Sequence, residues 1–139
     1  MTSPSGERGS ASIELVLLAP AVLLLVSFAI VAGRTQIAEG TVAEAARAAA
    51  REASLARSGD AAGAAARAEQ ALSDRNLHCQ STTVEIDTTG FQVPPGQPAD
   101  VTVTVSCVVG MADLLAPGLP GSVTVEASFT SPIDAFRER

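Results

Sequence analysis

Glu14, His78, Cys79 and Cys107 are the residues whose types and spacing bear most directly on chemistry. Glu14 stands immediately ahead of Leu15–Gly33, nineteen residues without a formal charge. A carboxylate at the threshold of an apolar helix is costly unless water, a cation or a proton relieves it. Either it snorkels at an interface near a helix N-terminus, where the helix dipole favours it, or a positive group pairs with it. His78 beside Cys79 suggests a metal, but one His and two Cys fall short of the four ligands of structural zinc, so no metal site is expected. Cys79 and Cys107 are the only cysteines, 28 positions apart and both beyond the apolar run. A disulfide is the preferred reading, with two buried free thiols as the alternative. Closing a loop of that length constrains the unfolded chain by about 3.6 kcal/mol in the entropy model. There is no Lys for a Schiff base, no GxxxxGK[ST] run, and no second His, so neither an active site nor a cofactor is assigned and the chain is read as noncatalytic. Gly118, Gly121 and the acids Glu85, Asp87 and Asp100 read as turn and solvent-facing residues, with Ca²⁺ ligation by the acids as the alternative.

Composition narrows the elements that must carry these residues. The chain has 139 residues, 47% hydrophobic but only 3% aromatic. That length holds one ordinary domain at most and excludes a large multidomain enzyme. Nine Arg, no Lys and fifteen acids give a formal charge of −6, which argues against a nucleic-acid surface. Twenty-six Ala, with no Trp or Tyr, favour a thin, helix-rich or elongated architecture.

As a helix, the nineteen apolar residues span about 29 Å, close to the roughly 30 Å hydrocarbon thickness of a bilayer. A single membrane-spanning helix is expected, with Pro20 bending it between Val16 and Pro20. A cleaved secretory signal fits badly, because Glu7 offsets Arg8, the apolar run is long, and Ile30 and Ala32 before Gly33 make a weak cleavage site. From Arg34 to about Arg57 strong helix formers continue as an Ala-rich stalk. Ala38, Val42, Ala45, Ala49, Ala53 and Ala56 form one face, with Gly40, Glu44, Arg47, Arg51 and Ser54 opposite. Glu44 and Arg47 stand at pairing distance on a helix. Ser58-Gly59-Asp60 reads as a turn and N-cap before a second helix, Ala61–Arg75, with Ala61, Ala65, Ala68 and Leu72 on one side. Folding this helix back on the stalk would give each small-residue face a mate.

Alternation then takes over. Val101, Val103, Val105, Cys107 and Val109 point one way within Asp100–Val109; Val123, Val125, Ala127 and Phe129 do so within Ser122–Thr130; Thr82–Asp87 is a shorter third strand with Val84 and Ile86 inward. Turn residues between the strands imply a three-stranded antiparallel meander packed on one face by a helix. Cys79 has the opposite parity to Val84 and Ile86, so it must precede the regular strand or lie across a bulge. The fold class is α+β: a long N-terminal transmembrane helix continuing into an Ala-rich stalk, a second helix, then a small sheet.

The segment Glu7-Arg8-Gly9-Ser10-Ala11-Ser12-Ile13-Glu14, running into the apolar helix, resembles the class III signal of type IV pilins and pseudopilins. More narrowly, RGSASIEL followed by LLAP, an Ala-rich helix and a short β-rich tail resembles the TadE-like family of tight-adherence pilus assembly. The likeness covers the first third of the chain closely and the rest in style. It implies cutting by a prepilin peptidase after Gly9, leaving Ser10 as the new N-terminus and Glu14 as the fifth mature residue. The Ser10 ammonium and the Glu14 carboxylate of a neighbouring subunit would then neutralise each other in low dielectric. Major pilins of this type commonly have Tyr after the acid and are far shorter, whereas Leu15 follows Glu14 here, so the resemblance is to a minor pseudopilin.

The resulting organisation is a leader at 1–9, a transmembrane helix at 10–33, the stalk and second helix at 34–77, and an exocytoplasmic β-rich tail at 78–139. The few arginines, Arg8 before the span and Arg34, Arg47 and Arg51 after it, point weakly towards the opposite orientation. The short leader, the resemblance and the cysteine pair place the N-terminus in the cytoplasm. Expected partners are the prepilin peptidase, other pilus or pseudopilin subunits, the assembly platform and the lipid membrane, with incorporation into the pilus as one fate. The alternative is a signal-anchored exported binding module of the cell envelope.

Overall fold

A computed structural model describes residues 8–56, 61–115 and 117–136. Most of the leader and the Ser58-Gly59-Asp60 turn lie outside the described residues. The elements in chain order are α1 (Arg8–Leu55), α2 (Ala61–Asp74), β1 (Cys79–Asp87), a 3-10 turn at Thr89–Gln92, β2 (Ala99–Gly110), α3 (Met111–Leu114) and β3 (Ser122–Ile133). The chain is α+β and divides into two compact units, Met1–Arg34 and Thr35–Arg139.

In the first unit the described chain is the N-terminal part of α1. An apolar window in this helix is long and apolar enough to cross a membrane, and none of it is buried within the protein. Leu15, Leu17, Leu23, Leu24, Leu25 and Phe28 are all exposed. Pro20 lies inside the helix and lacks an N–H, so the Val16 carbonyl loses its usual helical donor. The Ser27 hydroxyl donates to the Leu23 carbonyl at 2.7 Å, which satisfies this polar group within its own helix.

The second unit is built on the three-stranded antiparallel sheet, in the order β1-β2-β3. Strict alternation on β2 leaves Val101, Val103 and Val105 with no exposed surface. Opposite them in the same cluster come Ala38, Val42, Ala45, Ala46, Ala49, Ala50 and Ala53 of α1 and Ala64, Ala68 and Leu72 of α2. Two helices, rather than one, therefore cover the inner face of the sheet. The Arg47 guanidinium over the Phe129 ring and the Ser131 hydroxyl donating to Ser54 Oγ at 3.2 Å tie α1 to β3. The small side chains of this face are themselves almost fully buried, so the layers close without large core residues.

Several details depart from the sequence expectations. The buried face of α1 is wider, taking in Ala46 and Ala50, while Ala56 is only half-buried. On α2 the inward line is Ala64, Ala68 and Leu72; Ala61 is exposed and Ala65 half-buried. Steps of four from Ala64 through Ala68 to Leu72 keep this line on one face. Val123 is 37% exposed although its parity is inward, and β3 instead continues its buried alternation to Ser131 and Ile133. Glu44 pairs with Arg75 at 2.7 Å, not with Arg47.

Local chemistry explains where the elements stop. Helix α2 ends in a left-handed Asn76, φ +54°, with Asn76 N–H donating to the Ser73 carbonyl and Leu77 N–H to the Leu72 carbonyl. This double closure satisfies helix-end carbonyls and turns Leu77 back towards Leu72. Pro94-Pro95-Gly96-Gln97 turns with Gly96 at φ +91°, closed by Gln97 N–H on the Pro94 carbonyl.

Candidate functional site

Two regions hold the residues singled out in the sequence. Gly9, Ser10 and Glu14 lie on the first turns of α1. Ser10 and Glu14 are four residues apart, so one helical turn separates them along the same face, with a rise of about 6 Å. Glu14 falls inside the apolar helix that begins at Ile13, and its side chain is exposed. Among the described residues no cation pairs with it; the ion pair present joins Arg75 to Glu44.

The second region is the cysteine pair. Cys79 opens β1 and Cys107 lies on β2, joined by a disulfide with Cα atoms 5.4 Å apart. Cys79 stands opposite Val109 and Ser81 opposite Val108, so the register slips at Gln80. That extra residue is a bulge, one of the two arrangements the parity of Cys79 allows, and it brings Cys79 to the same face as Cys107. Cys107 has no exposed surface, whereas Cys79 is half-buried. The disulfide therefore fastens the start of β1 to the central strand at the point where regular pairing is interrupted.

Beside the disulfide, a groove of about 280 Å³ runs between the end of α2 and β1, lined by Glu69, Ser73, Asn76, His78, Cys79 and Thr82 among others. Glu69, Ser73 and His78 are the residue types of a hydrolytic triad, but among the described residues no side-chain hydrogen bond links any two of them. Nor do three or more His, Cys, Asp or Glu among the described residues group to hold a metal ion. A second groove, about 510 Å³, lies on the helices and is lined by Glu44, Arg47, Arg51, Glu52, Leu55 and Arg67. Its charged side chains are long-armed and exposed, and Glu44 is engaged by Arg75 outside the groove lining.

At the far end of β1, Asp87 Oδ1 accepts the Thr89 backbone N–H at 3.0 Å. This hydrogen bond, with a further one from the Thr89 side chain, holds the Asp87 carboxyl below its ordinary range. Asp87 thus closes the turn after β1. Sequence reading missed this role, as well as the Arg47–Phe129 stack and the Arg75–Glu44 bridge. The Asp-Thr-Thr spacing after a strand was a usable signal for the first; the other two depend on tertiary placement.

Residues 9–51 match the model of a family described as TadE-like protein. The matched segment contains Gly9, Ser10, Glu14 and Pro20 and runs into the buried alanine face of α1. No curated protein and no solved structure matched the chain.

Proposed function

We propose that the chain is a noncatalytic, membrane-anchored minor pseudopilin of a tight-adherence pilus system. The observation that carries this reading is the TadE-like match over residues 9–51, which coincides with an exposed apolar helix bearing Glu14 near its start. The prepilin peptidase cuts after Gly9. The helix then stores the subunit in the cell membrane, N-terminus cytoplasmic, with the unit from Thr35 onward on the opposite side.

During assembly the Ser10 ammonium of one subunit meets Glu14 of its neighbour. In a low-dielectric surrounding, leaving either charge unpaired is costly, so the pairing favours one stagger between parallel helices. The disulfide supports exposure to an oxidising compartment, where such bonds persist. Partners are other pilus subunits and the assembly platform, and the work done is assembly rather than turnover.

Mass spectrometry of the membrane-extracted protein tests the first step: the expected N-terminus is Ser10, and an intact leader alongside an active prepilin peptidase overturns it. Glu14→Ala tests the second, with loss of pilus assembly expected while membrane insertion is retained. Normal assembly by this variant would instead favour an exported binding module held by a signal anchor.

A further inference from the structure

The two cysteines of the disulfide differ in exposure. Cys107 is fully enclosed by the inner face of the sheet, with Val105 and Val109 as its buried neighbours along β2. Cys79 is half-buried and lines the groove between α2 and β1. Thiol–disulfide exchange requires a thiolate to reach one sulfur while the other departs. Of the two, Cys79 lines the groove and Cys107 does not.

We propose that this groove is the port for thiol exchange with the Cys79–Cys107 bond, and that incoming thiolates form their mixed disulfide on Cys79 alone. In the step, a thiolate attacks Cys79 Sγ; a new S–S bond forms, the Cys79–Cys107 bond breaks, and its electron pair leaves on Cys107 Sγ. No external oxidant is consumed, because the attacking thiol and Cys79 share the bond that Cys107 loses. The departing sulfur is left among apolar side chains where charge is unfavourable, so it attacks back at Cys79, expels the incoming thiol and recloses the native bond. A second thiol on the attacking molecule competes with this return and completes reduction of the pair. In the reverse direction, an incoming disulfide is opened by the Cys79 thiolate, and the Cys107 thiolate then displaces it. The fitting partner is thus a thiol or dithiol presented on a segment narrow enough to enter the groove. This inference is independent of the pilus reading, since it depends only on the unit from Thr35 onward.

The test uses the full-length oxidised protein in detergent micelles under native conditions. It is incubated with reduced glutathione in one arm and, in the other, with a thioredoxin-type protein whose resolving cysteine is Ser. Acid quenching, alkylation and peptide mass spectrometry then locate the adducts. Adducts on Cys79 at least tenfold more abundant than on Cys107 are expected in whichever arm reacts. An adduct with glutathione alone assigns the port to small thiols, and one with the protein assigns it to an oxidoreductase. Equal adducts, adducts on Cys107, or none in either arm until the protein is denatured overturn the proposal. The variants give a second reading: the thiol of Cys107→Ser should alkylate at least tenfold faster than that of Cys79→Ser, and equal rates in folded protein would overturn it.

Discussion

The guanidinium of Arg47 on α1 lies over the ring of Phe129 on β3, 5.2 Å from its centroid. The contact joins the helical layer to an edge strand beside a core made mostly of Ala and Val. A cation held over a ring at a partly exposed site contributes about 0.5–1 kcal/mol. A double-mutant cycle with Arg47→Ala and Phe129→Leu, read by chemical denaturation, is expected to show coupling of that size. Strict additivity would mean that the two side chains stabilise independently.

Ala49 has no exposed surface beneath the helix, while Ala66 on α2 is exposed. Ala49→Leu inserts volume where the helix meets the sheet and is expected to cost about 1–3 kcal/mol. Ala66→Leu should shift the unfolding midpoint little. Equal effects would contradict a close-packed alanine interface.

Gly90 is buried, and a Cβ there would run into the Asp100 carbonyl oxygen and approach its carbonyl carbon to 2.9 Å. Backbone cannot rotate away as a side-chain tip can. Gly90→Ala should therefore destabilise the second unit, by about 1–3 kcal/mol on the scale of overpacked sites, with increased hydrogen exchange at the joined ends of β1 and β2. Wild-type stability in this variant would show that the turn is not so constrained.

Removing the disulfide by Cys79→Ser with Cys107→Ser should lower stability by about 2–5 kcal/mol. The loss should appear as a lower unfolding temperature of the second unit, equalled in the wild type by full reduction. A midpoint insensitive to reduction would mean that the core alone fixes β1.

Asp87 has a carboxyl held below its ordinary value of 3.8 by Thr89. A depressed folded-state value means that the charged form is favoured by folding. Its stabilising contribution is therefore complete above the unfolded value, declines as pH falls below it, and is gone once pH passes below the folded value. Asp87→Asn should flatten that acid-side decline, and NMR titration of the Asp87 side chain should give a midpoint below 3.8. A midpoint at or above that value would remove the hydrogen bonds as its cause.

The central strand was the most legible part of the second unit, because alternating Val and Thr on β2 have one arrangement that buries the Val set: Val101 to Val109 face inward as the period predicts. The parity conflict at Cys79 allowed either a cysteine ahead of the regular strand or one across a bulge, and the register slips there. Period alone could not tell that Ala46 and Ala50 are buried, since alanine fits a helix on either face and only the span of the sheet decides how wide the covered strip becomes. The inward parity of Val123 failed for a similar reason: alternation gives direction, whereas cover at the end of a strand depends on what lies opposite. At the N-terminus the apolar helix and Glu14 are plain in the sequence, and Glu14 is exposed near the start of that helix; on the proposed reading its partner comes from a second subunit.

The three-strand order leaves β1 and β3 each with a partner on one side only. Unsatisfied rows of amide and carbonyl groups are templates for unwanted stacking between chains. Here the pairing of β1 slips at Gln80, while β3 carries an exposed charge at Glu126 and, at Pro132, a residue without an N–H to donate. The same irregularity that lets the two sulfurs meet thus also roughens the strand it interrupts against pairing with another copy.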